Sequence, residues 1–199
     1  MALSVLQADH VVDQAAPGGG SLVLPRHGGG HRRGGLLSGY RVMKHWELVV
    51  AACKQLKSWS CSPVAAELVT CNGTGEVPDA IGWTSRCSIL FECKTSRADF
   101  LRDRQKLFRY DLSRLGMGDY RFYLGNYGVV HSADELPEGW GYYEVNERNT
   151  KPILVHRFGV KYQLTGIPPL AGNQHNEINI LRSIIRRKGG YEPKTKIPA

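Results

Sequence analysis

The sequence lacks the features that mark several protein classes. No apolar run approaches the ~20 residues that a membrane-spanning helix needs, and the opening residues, MALSVLQADH, lack a basic start and reach Asp9 too early for a secretory signal. The five cysteines are odd in number and include no Cys-x-x-Cys pair, which argues against a disulfide framework and against a zinc site. We therefore expect a cytoplasmic protein with no membrane attachment.

The sequence also contains no internal repeat and no signature of a zinc finger, a helix-turn-helix or an RNA-recognition module. What it does contain is basic charge, since 26 Lys and Arg residues against 18 Asp and Glu residues give a net charge of +8. This balance favours a polyanionic partner, most simply nucleic acid, although solubility alone explains such a charge about as often. Binding would then depend on shape and charge and would weaken with salt.

Three regions are expected along the chain. Residues 1–42 include nine glycines and predict a flexible tail, because they cannot bury enough apolar surface to offset their ordering entropy. Residues 43–165 predict one α/β domain with a mixed sheet flanked by helices, in the order helix, three strands, helix, strand. Residues 166–199 form a C-terminal extension in which NEINILRSIIRRKGG predicts a basic amphipathic helix.

Hydrophobic periodicity assigns each expected element a buried face. The first helix, MKHWELVVAACKQLKSW, should bury one apolar side: Trp46, Val49, Val50, Cys53 and Leu56. The C-terminal helix should turn four residues inward: Ile178, Leu181, Ile184 and Ile185. Ser96 predicts an N-cap, with Asp99 as its capping-box partner, for the helix SRADFLRDRQKLFRY. Strands are expected at 63–70, 77–83, 88–93, 120–125, 141–145 and 153–159.

The stretch VPDAIGWTSRCSILFECKTS, residues 77–96, places charges in strands that otherwise have a buried pattern. Strand alternation puts Glu92 and Lys94 side by side on one face, about 7 Å apart. Asp79 precedes them by a hairpin-sized connection, so an adjacent strand would bring its carboxylate to theirs. Buried charges need partners, and a divalent cation resolves the repulsion between two carboxylates. Oxygen ligands suit magnesium or manganese.

This set of side chains suits phosphodiester hydrolysis. Asp79 and Glu92 would hold a metal that neutralises the phosphate and lowers the pKa of a bound water. Lys94 would orient or help deprotonate that water and would stabilise the developing negative charge. The carbonyl of Cys93 is a further candidate ligand. An ordinary ion pair of Lys94 with either carboxylate at a strand end is the alternative interpretation.

A Pro-Asp pair ending at Asp79, twelve residues, and then Glu-Cys-Lys at 92–94 together resemble the PD-(D/E)XK nuclease superfamily. The longer stretch FECKTSRADFLRDRQKLFRY, followed by DYRFYLG, resembles its MmcB-like branch of DNA-repair nucleases, and similar segments occur in bacteriophage nucleases. The resemblance covers roughly residues 43–160. It implies a restriction-endonuclease-like core, Mg²⁺ (or Mn²⁺) as cofactor and DNA as partner. It also implies Asp79 and Glu92 as metal ligands and Lys94 as the catalytic lysine.

The resemblance further implies an extra acidic residue on the preceding helix or first strand. Glu67 is the candidate for this additional metal ligand, and a carboxylate satisfied within its own strand is the alternative. Asp99 and Asp103 resemble acidic positions of the branch. Helix capping suffices to explain Asp99, and a solvated helix face is the interpretation that we favour for Asp103.

Basic residues on two helices are candidate contacts to the DNA backbone. Spacings of four and three place Arg102, Lys106 and Arg109 on one stripe, with Arg97 near the start of the same helix. The C-terminal helix ends in a second basic cluster: Arg182, Arg186, Arg187 and Lys188. A solvated basic face is the alternative for both groups.

The sequence therefore predicts a metal-dependent DNA endonuclease acting in DNA repair, recombination or phage DNA processing. One alternative is a catalytically inactive nucleic-acid-binding module on the same fold, although loss of turnover usually removes one of Asp79, Glu92 and Lys94. Another is a nuclease subunit that cuts only within a larger complex, such as one with a helicase. A homodimer is expected if the enzyme cuts two strands, and a structural protein with coincidental charges is the remaining alternative.

Overall fold

A six-stranded sheet, three α-helices and a short 3₁₀ helix (Ala133–Glu135) form the computed structural model, which describes residues 42–70, 74–106, 109, 116–146, 153–163 and 168–188. All of these residues belong to one compact unit, Leu37–Ala199. None of the described helices has the length and apolar character needed to cross a membrane. The elements in chain order are α1 (His45–Ser58), β1 (Val64–Ala66), β2 (Ala80–Trp83), β3 (Ser88–Lys94), α2 (Arg97–Asp103), β4 (Tyr120–Gly125), β5 (Trp140–Asn146), β6 (Ile153–Gly159) and α3 (Gln174–Arg187).

The strands form one mixed sheet in which the spatial order follows the chain order, β1 to β6. β3, β4 and β5 run parallel, and the strands at both edges pair antiparallel. Parallel neighbours require a crossover connection, and α2 lies in the one that links β3 to β4. The expected order of helix, three strands, helix and strand is confirmed, and so is an α/β fold with a mixed sheet flanked by helices.

Alternation along the strands gives the sheet two buried faces. On one face, Leu48 and Leu56 of α1 share an apolar cluster with Phe91 of β3 and Phe122 of β4. The opposite face has its own cluster, to which α2, α3 and three strands contribute: Leu90, Phe100, Tyr123, Trp140 and Ile180. The C-terminal helix therefore packs into the same core as the preceding residues. The predicted tail at 1–42 lies, apart from Val42, outside the described residues.

Strand and helix boundaries differ from the expectation at three places. The strand expected at 63–70 ends at Ala66, because Glu67 adopts a left-handed backbone with φ of +47°. The strand expected at 77–83 begins only at Ala80, which leaves Asp79 just before it. The helix after β3 ends at Asp103. The prediction of one helical stripe is therefore wrong, since two of its members lie beyond the helix: Lys106 and Arg109.

The inward faces of α1 and α3 also differ from the expectation. On α1, Trp46 and Val50 are 60% and 43% exposed. On α3, Ile178 and Ile185 are exposed, and the helix instead buries Asn176, Glu177 and Ile180. Hydrogen bonds explain why α3 buries Glu177: its carboxylate accepts from Trp83 Nε1 at 2.9 Å and from the Gly118 amide at 2.8 Å. These bonds set the rotation of the helix about its own axis.

Candidate active site

The carboxylates and the lysine expected to form a site do meet at the ends of β2 and β3. Ala80 pairs with Phe91 in the antiparallel register, so Asp79 stands opposite Glu92. Glu92 and Lys94 lie on the same face of β3, with Lys94 Nζ 3.4 Å from Glu92 Oε2. The amide of Cys93 donates a hydrogen bond to Asp79 Oδ2 at 2.6 Å. This bond fixes the Asp79 carboxylate beside the other two groups.

Burial shifts the pKa values of the charged groups in this site. Glu92 and Lys94 are 2% and 6% exposed. Burial and the neighbouring Glu92 carboxylate raise the pKa of Asp79 to about 6, although the Cys93 amide and Lys94 oppose the change. Burial alone would lower the pKa of Lys94, but the carboxylates of Glu92 and Asp103 outweigh it and raise that pKa. Lys94 is therefore an ammonium at neutral pH.

Behind this group lies a buried network that the sequence did not predict, with Asp103 at its centre. Asp103 Oδ1 lies 3.1 Å from Lys94 Nζ. Asp103 Oδ2 accepts hydrogen bonds from Arg109 Nε and from the Tyr123 hydroxyl, both at 2.9 Å. Burial opposes ionisation of Asp103, but Arg109 and Lys94 hold its pKa well below the ordinary value. Asp103 is 2% exposed, so the interpretation as a solvated helix face is wrong.

Arg109 links this network to two further carboxylates. Its Nη2 lies 3.0 Å from Glu92 Oε1, and its Nη1 donates to Glu76 Oε1, also at 3.0 Å. The guanidinium carbon lies 4.8 Å from the centre of the Trp140 ring, within cation–π range. Arg109 is 5% exposed. It is therefore an interior ion-pair residue, and its assignment as a contact to the DNA backbone is wrong.

A second set of donor atoms lies at the more exposed side of Asp79. His45 Nε2, from the first turn of α1, is 3.1 Å from Glu67 Oε1 and 3.6 Å from Asp79 Oδ1. One donor atom from each of these residues lies within 4.8 Å of the others. The Glu67 amide donates hydrogen bonds to the Pro78 and Asp79 carbonyls, both at 3.2 Å. These bonds hold Glu67, whose backbone is left-handed, next to Asp79. We call His45, Glu67 and Asp79 the outer triad.

These donors fit a divalent cation. The outer triad offers two carboxylates and an imidazole within reach of one ion. Glu92 Oε1 is buried 3.0 Å from Arg109 Nη2 and lies outside that group. Carboxylate oxygens suit magnesium and manganese, whereas an imidazole also suits zinc and other transition metals. The set fits a metal without selecting Mg²⁺.

Cys93 contributes differently from its neighbours. Its side chain is 1% exposed and lies in the cluster beneath α1. Burial and the Asp79 carboxylate raise the pKa of its thiol well above 9.0, so in the metal-free protein the side chain is a neutral thiol. Its amide is committed to Asp79, and the carbonyl as a metal ligand stays a prediction.

The other basic residues proposed to contact DNA have different surroundings. Arg97 donates to Glu135 Oε2 at 3.0 Å and to the Val129 carbonyl at 3.3 Å, which ties α2 to the loop after β4. The Arg102 side chain is 79% exposed, and Lys106, 49% exposed, pairs with Asp103 at 2.7 Å. At the end of α3, two further arginines are exposed: Arg186 and Arg187. Contact of these five residues with DNA stays a prediction.

Sequence reasoning missed the roles of four residues that shape the site: His45, Asp103, Arg109 and Tyr123. Tyr123 pairs with Glu92 across β3 and β4. Strand alternation within YRFYLG could therefore have predicted that Tyr123 faces the same side of the sheet as Glu92. No local sequence pattern could have predicted the role of His45, because its contact with Asp79 joins two segments that are distant in sequence. No protein-family model matches the chain, and neither the curated proteins nor the solved structures contain a match.

Proposed function

We propose that this protein is a metal-dependent nuclease that hydrolyses phosphodiester bonds in DNA, on a restriction-endonuclease-like core. One observation carries the proposal: Asp79, Glu92 and Lys94 come together at the ends of two paired strands, within a helix, three-strand, helix, strand order. Two carboxylates with an ammonium at hydrogen-bonding distance are the groups that metal-assisted phosphoryl chemistry requires. The resemblance of the sequence to the PD-(D/E)XK superfamily supports the same conclusion.

Asp79 and Glu92 would hold the metal, with Glu67 and His45 as further ligands on the exposed side. A divalent ion there would neutralise the scissile phosphate and lower the pKa of a bound water. The raised pKa of Asp79 in the metal-free protein is the expected mark of a carboxylate placed for a cation, since burial and Glu92 both disfavour its charge.

Lys94 would act through its positive charge. The carboxylates around it keep it protonated, so it suits the stabilisation of negative charge on the phosphate better than the removal of a proton. Asp103, 3.1 Å from Lys94 Nζ, and Arg109, against Glu92, hold these two side chains in place. Asp103 and Arg109 are therefore positioning residues.

The test is cleavage of supercoiled plasmid, linear duplex, single-stranded and flapped DNA with Mg²⁺ or Mn²⁺, against EDTA. The variants are Asp79→Asn, Glu92→Gln and Lys94→Met, and the control is Asp134→Asn, at an exposed position. Removing one group that stabilises developing charge reduces rates by about 100-fold or more, so each site variant should lose that much while the control keeps wild-type activity. Activity that survives in Asp79→Asn or Lys94→Met refutes the assignment. DNA binding without cleavage of any substrate would favour the inactive binding module.

A further inference from the structure

Trp46 lies in the first turn of α1, next to His45 of the outer triad. It is 60% exposed, whereas the other three tryptophans of the chain are buried or half-buried. Val50, one turn further along the helix, is 43% exposed. Side chains four residues apart are neighbours on a helix surface, so these two form one apolar area. The beginning of α1 therefore presents an indole to solvent directly beside the candidate metal ligands.

The packing of α1 shows which side of the site this indole faces. Trp46 and Cys53 are seven residues apart, about two turns, so they lie on nearly the same line along the helix. Burial raises the pKa of the Cys53 thiol, the Lys57 ammonium opposes the change, and the Glu67 carboxylate adds to it. The line that carries Trp46 is therefore the side of α1 next to Glu67, the residue that His45 Nε2 contacts at 3.1 Å.

Basic side chains continue the same side of the helix. Spacings of four, four and three place Trp46, Val50, Lys54 and Lys57 on one stripe, and all four residues are exposed. We call these four residues the α1 stripe, which is about 16 Å long at 1.5 Å per residue. Its two ammonium groups complement the charge of a phosphate backbone. An aromatic ring in line with cations is the combination with which proteins bind single-stranded nucleic acid.

We infer that the α1 stripe binds an unpaired stretch of the substrate strand, with one base stacked on the Trp46 indole and phosphates beside Lys54 and Lys57. The inference rests on the proposed function and narrows it: the preferred substrate has single-stranded DNA next to the scissile phosphate, as in a flap, an overhang or a single strand. In a continuous duplex the bases are paired and stacked on one another, so none is available to the indole.

The test measures binding apart from cleavage, with the full-length protein in EDTA. Two labelled strands of equal length are compared: an ordinary oligonucleotide, and one whose sugar–phosphate backbone carries no bases. Trp46→Ala should weaken binding of the ordinary strand by about 5- to 150-fold, the contribution of stacking one base on an aromatic ring, and should leave binding of the abasic strand unchanged. Lys54→Met should weaken binding of both strands alike, because it removes a phosphate contact that does not depend on the base.

Two further variants separate stacking from loss of apolar surface. Trp46→Phe keeps a ring on which a base can stack, so it should retain most of the affinity, but it should lose the quenching of tryptophan fluorescence that the ordinary strand causes in the wild type. Ile178→Ala shortens an apolar side chain of α3 that is 53% exposed. It is the matched control and should bind both strands as the wild type does. All of these variants change exposed positions, so each should unfold at nearly the wild-type Tm.

Three results overturn the inference: wild-type protein that does not bind the ordinary strand, Trp46→Ala that binds it as the wild type does, or equal loss from both strands in Trp46→Ala. In the second case, a lower mass of Trp46→Ala by light scattering would identify the α1 stripe as an interface between two copies of the chain. If Asp79→Asn abolishes metal-dependent cleavage while Trp46→Ala binds normally, only the stripe assignment is wrong. If Asp79→Asn does not alter cleavage, the proposed function itself is wrong.

Discussion

Replacing Asp79 by Asn should stabilise the metal-free protein, although Asp79 is a central residue of the candidate site. Asparagine has nearly the same shape, and its Oδ1 can still accept the hydrogen bond that the Cys93 amide donates at 2.6 Å. What the substitution removes is a negative charge that is only 17% exposed and faces Glu92. The variant therefore isolates the energetic effect of that charge.

The pKa of Asp79 sets the size and the pH range of the effect. Its pKa is about 6 in the folded protein against an ordinary value of 3.8, which corresponds to at most about 3 kcal/mol at neutral pH. Because the folded pKa is the higher one, the wild-type protein has the full contribution of the protonated group below pH 3.8 and loses it as the pH rises through 6. We therefore expect a gain of up to about 3 kcal/mol for Asp79→Asn at pH 7.5.

Thermal and urea unfolding in EDTA, from pH 4 to pH 8, measure this gain. At this chain length, 1 kcal/mol corresponds to about 2–4 °C in Tm. The two proteins should differ little near pH 4 and diverge up to about pH 7. Adding Mn²⁺ or Mg²⁺ should cancel or reverse the difference, because a ligand at 100 times its Kd stabilises the wild type by about 2.7 kcal/mol and the variant has lost a carboxylate ligand.

A metal-free Asp79→Asn variant that is less stable than the wild type at pH 7.5 would refute the reasoning. That result would mean that the Asp79 carboxylate is satisfied by structural partners alone. Asp134→Asn makes the same chemical change at an exposed position, so it should be close to neutral with and without metal. Equal stabilisation by Mn²⁺ in wild type and Asp79→Asn would show that the ion binds elsewhere.

Two further predictions concern charges outside the metal ligands. Arg109→Met should lower the free energy of urea unfolding by about 3–5 kcal/mol, since it leaves buried carboxylates without their partner, whereas Arg102→Met, at a 79% exposed side chain, should change it by less than about 0.5 kcal/mol. Glu135→Gln should destabilise at pH 7, because the hydrogen bond from Arg97 and the His131 amide lower the pKa of Glu135 to about 2. Because this pKa is depressed, the difference from wild type should shrink as pH falls from 4.5 towards 2 in acid unfolding, and a constant difference would contradict the assignment.

Much of the fold was predictable because its strands carry strong local patterns. YRFYLG was expected at 120–125 and forms β4 with those bounds, and SILFEC extends by one residue to Lys94. The pairing of Glu92 with Lys94 followed from alternation alone. The strand bounds and the shared face of Glu92 and Lys94 depend on residues close in sequence, so hydrophobic periodicity can predict them.

The surroundings of the site were less predictable because they depend on contacts between distant segments. Asp103 and Arg109 fit a helical pattern of charged residues, and only the end of α2 at Asp103 allows both to turn inward. Glu67 was expected within a strand, but the strand ends one residue earlier. Exposed and buried ion pairs have the same sequence pattern, since burial is a property of the tertiary structure.

A comparison of carboxylates and cations in the site indicates where a divalent cation would bind. Among the described residues, direct ion pairs join three buried carboxylates, Glu76, Glu92 and Asp103, to three cations, of which Lys94 and Arg109 are buried and Lys106 is half-exposed. The ion pairs within that network balance in charge, so we expect the cation at its edge, where Glu92 faces Asp79. The two carboxylates of the outer triad, Glu67 and Asp79, have only His45 as a partner within ion-pair distance in the described part of the chain. Their charge of −2 is what a divalent cation would neutralise, and the Glu67 side chain is 55% exposed, so solvent reaches this side of the site.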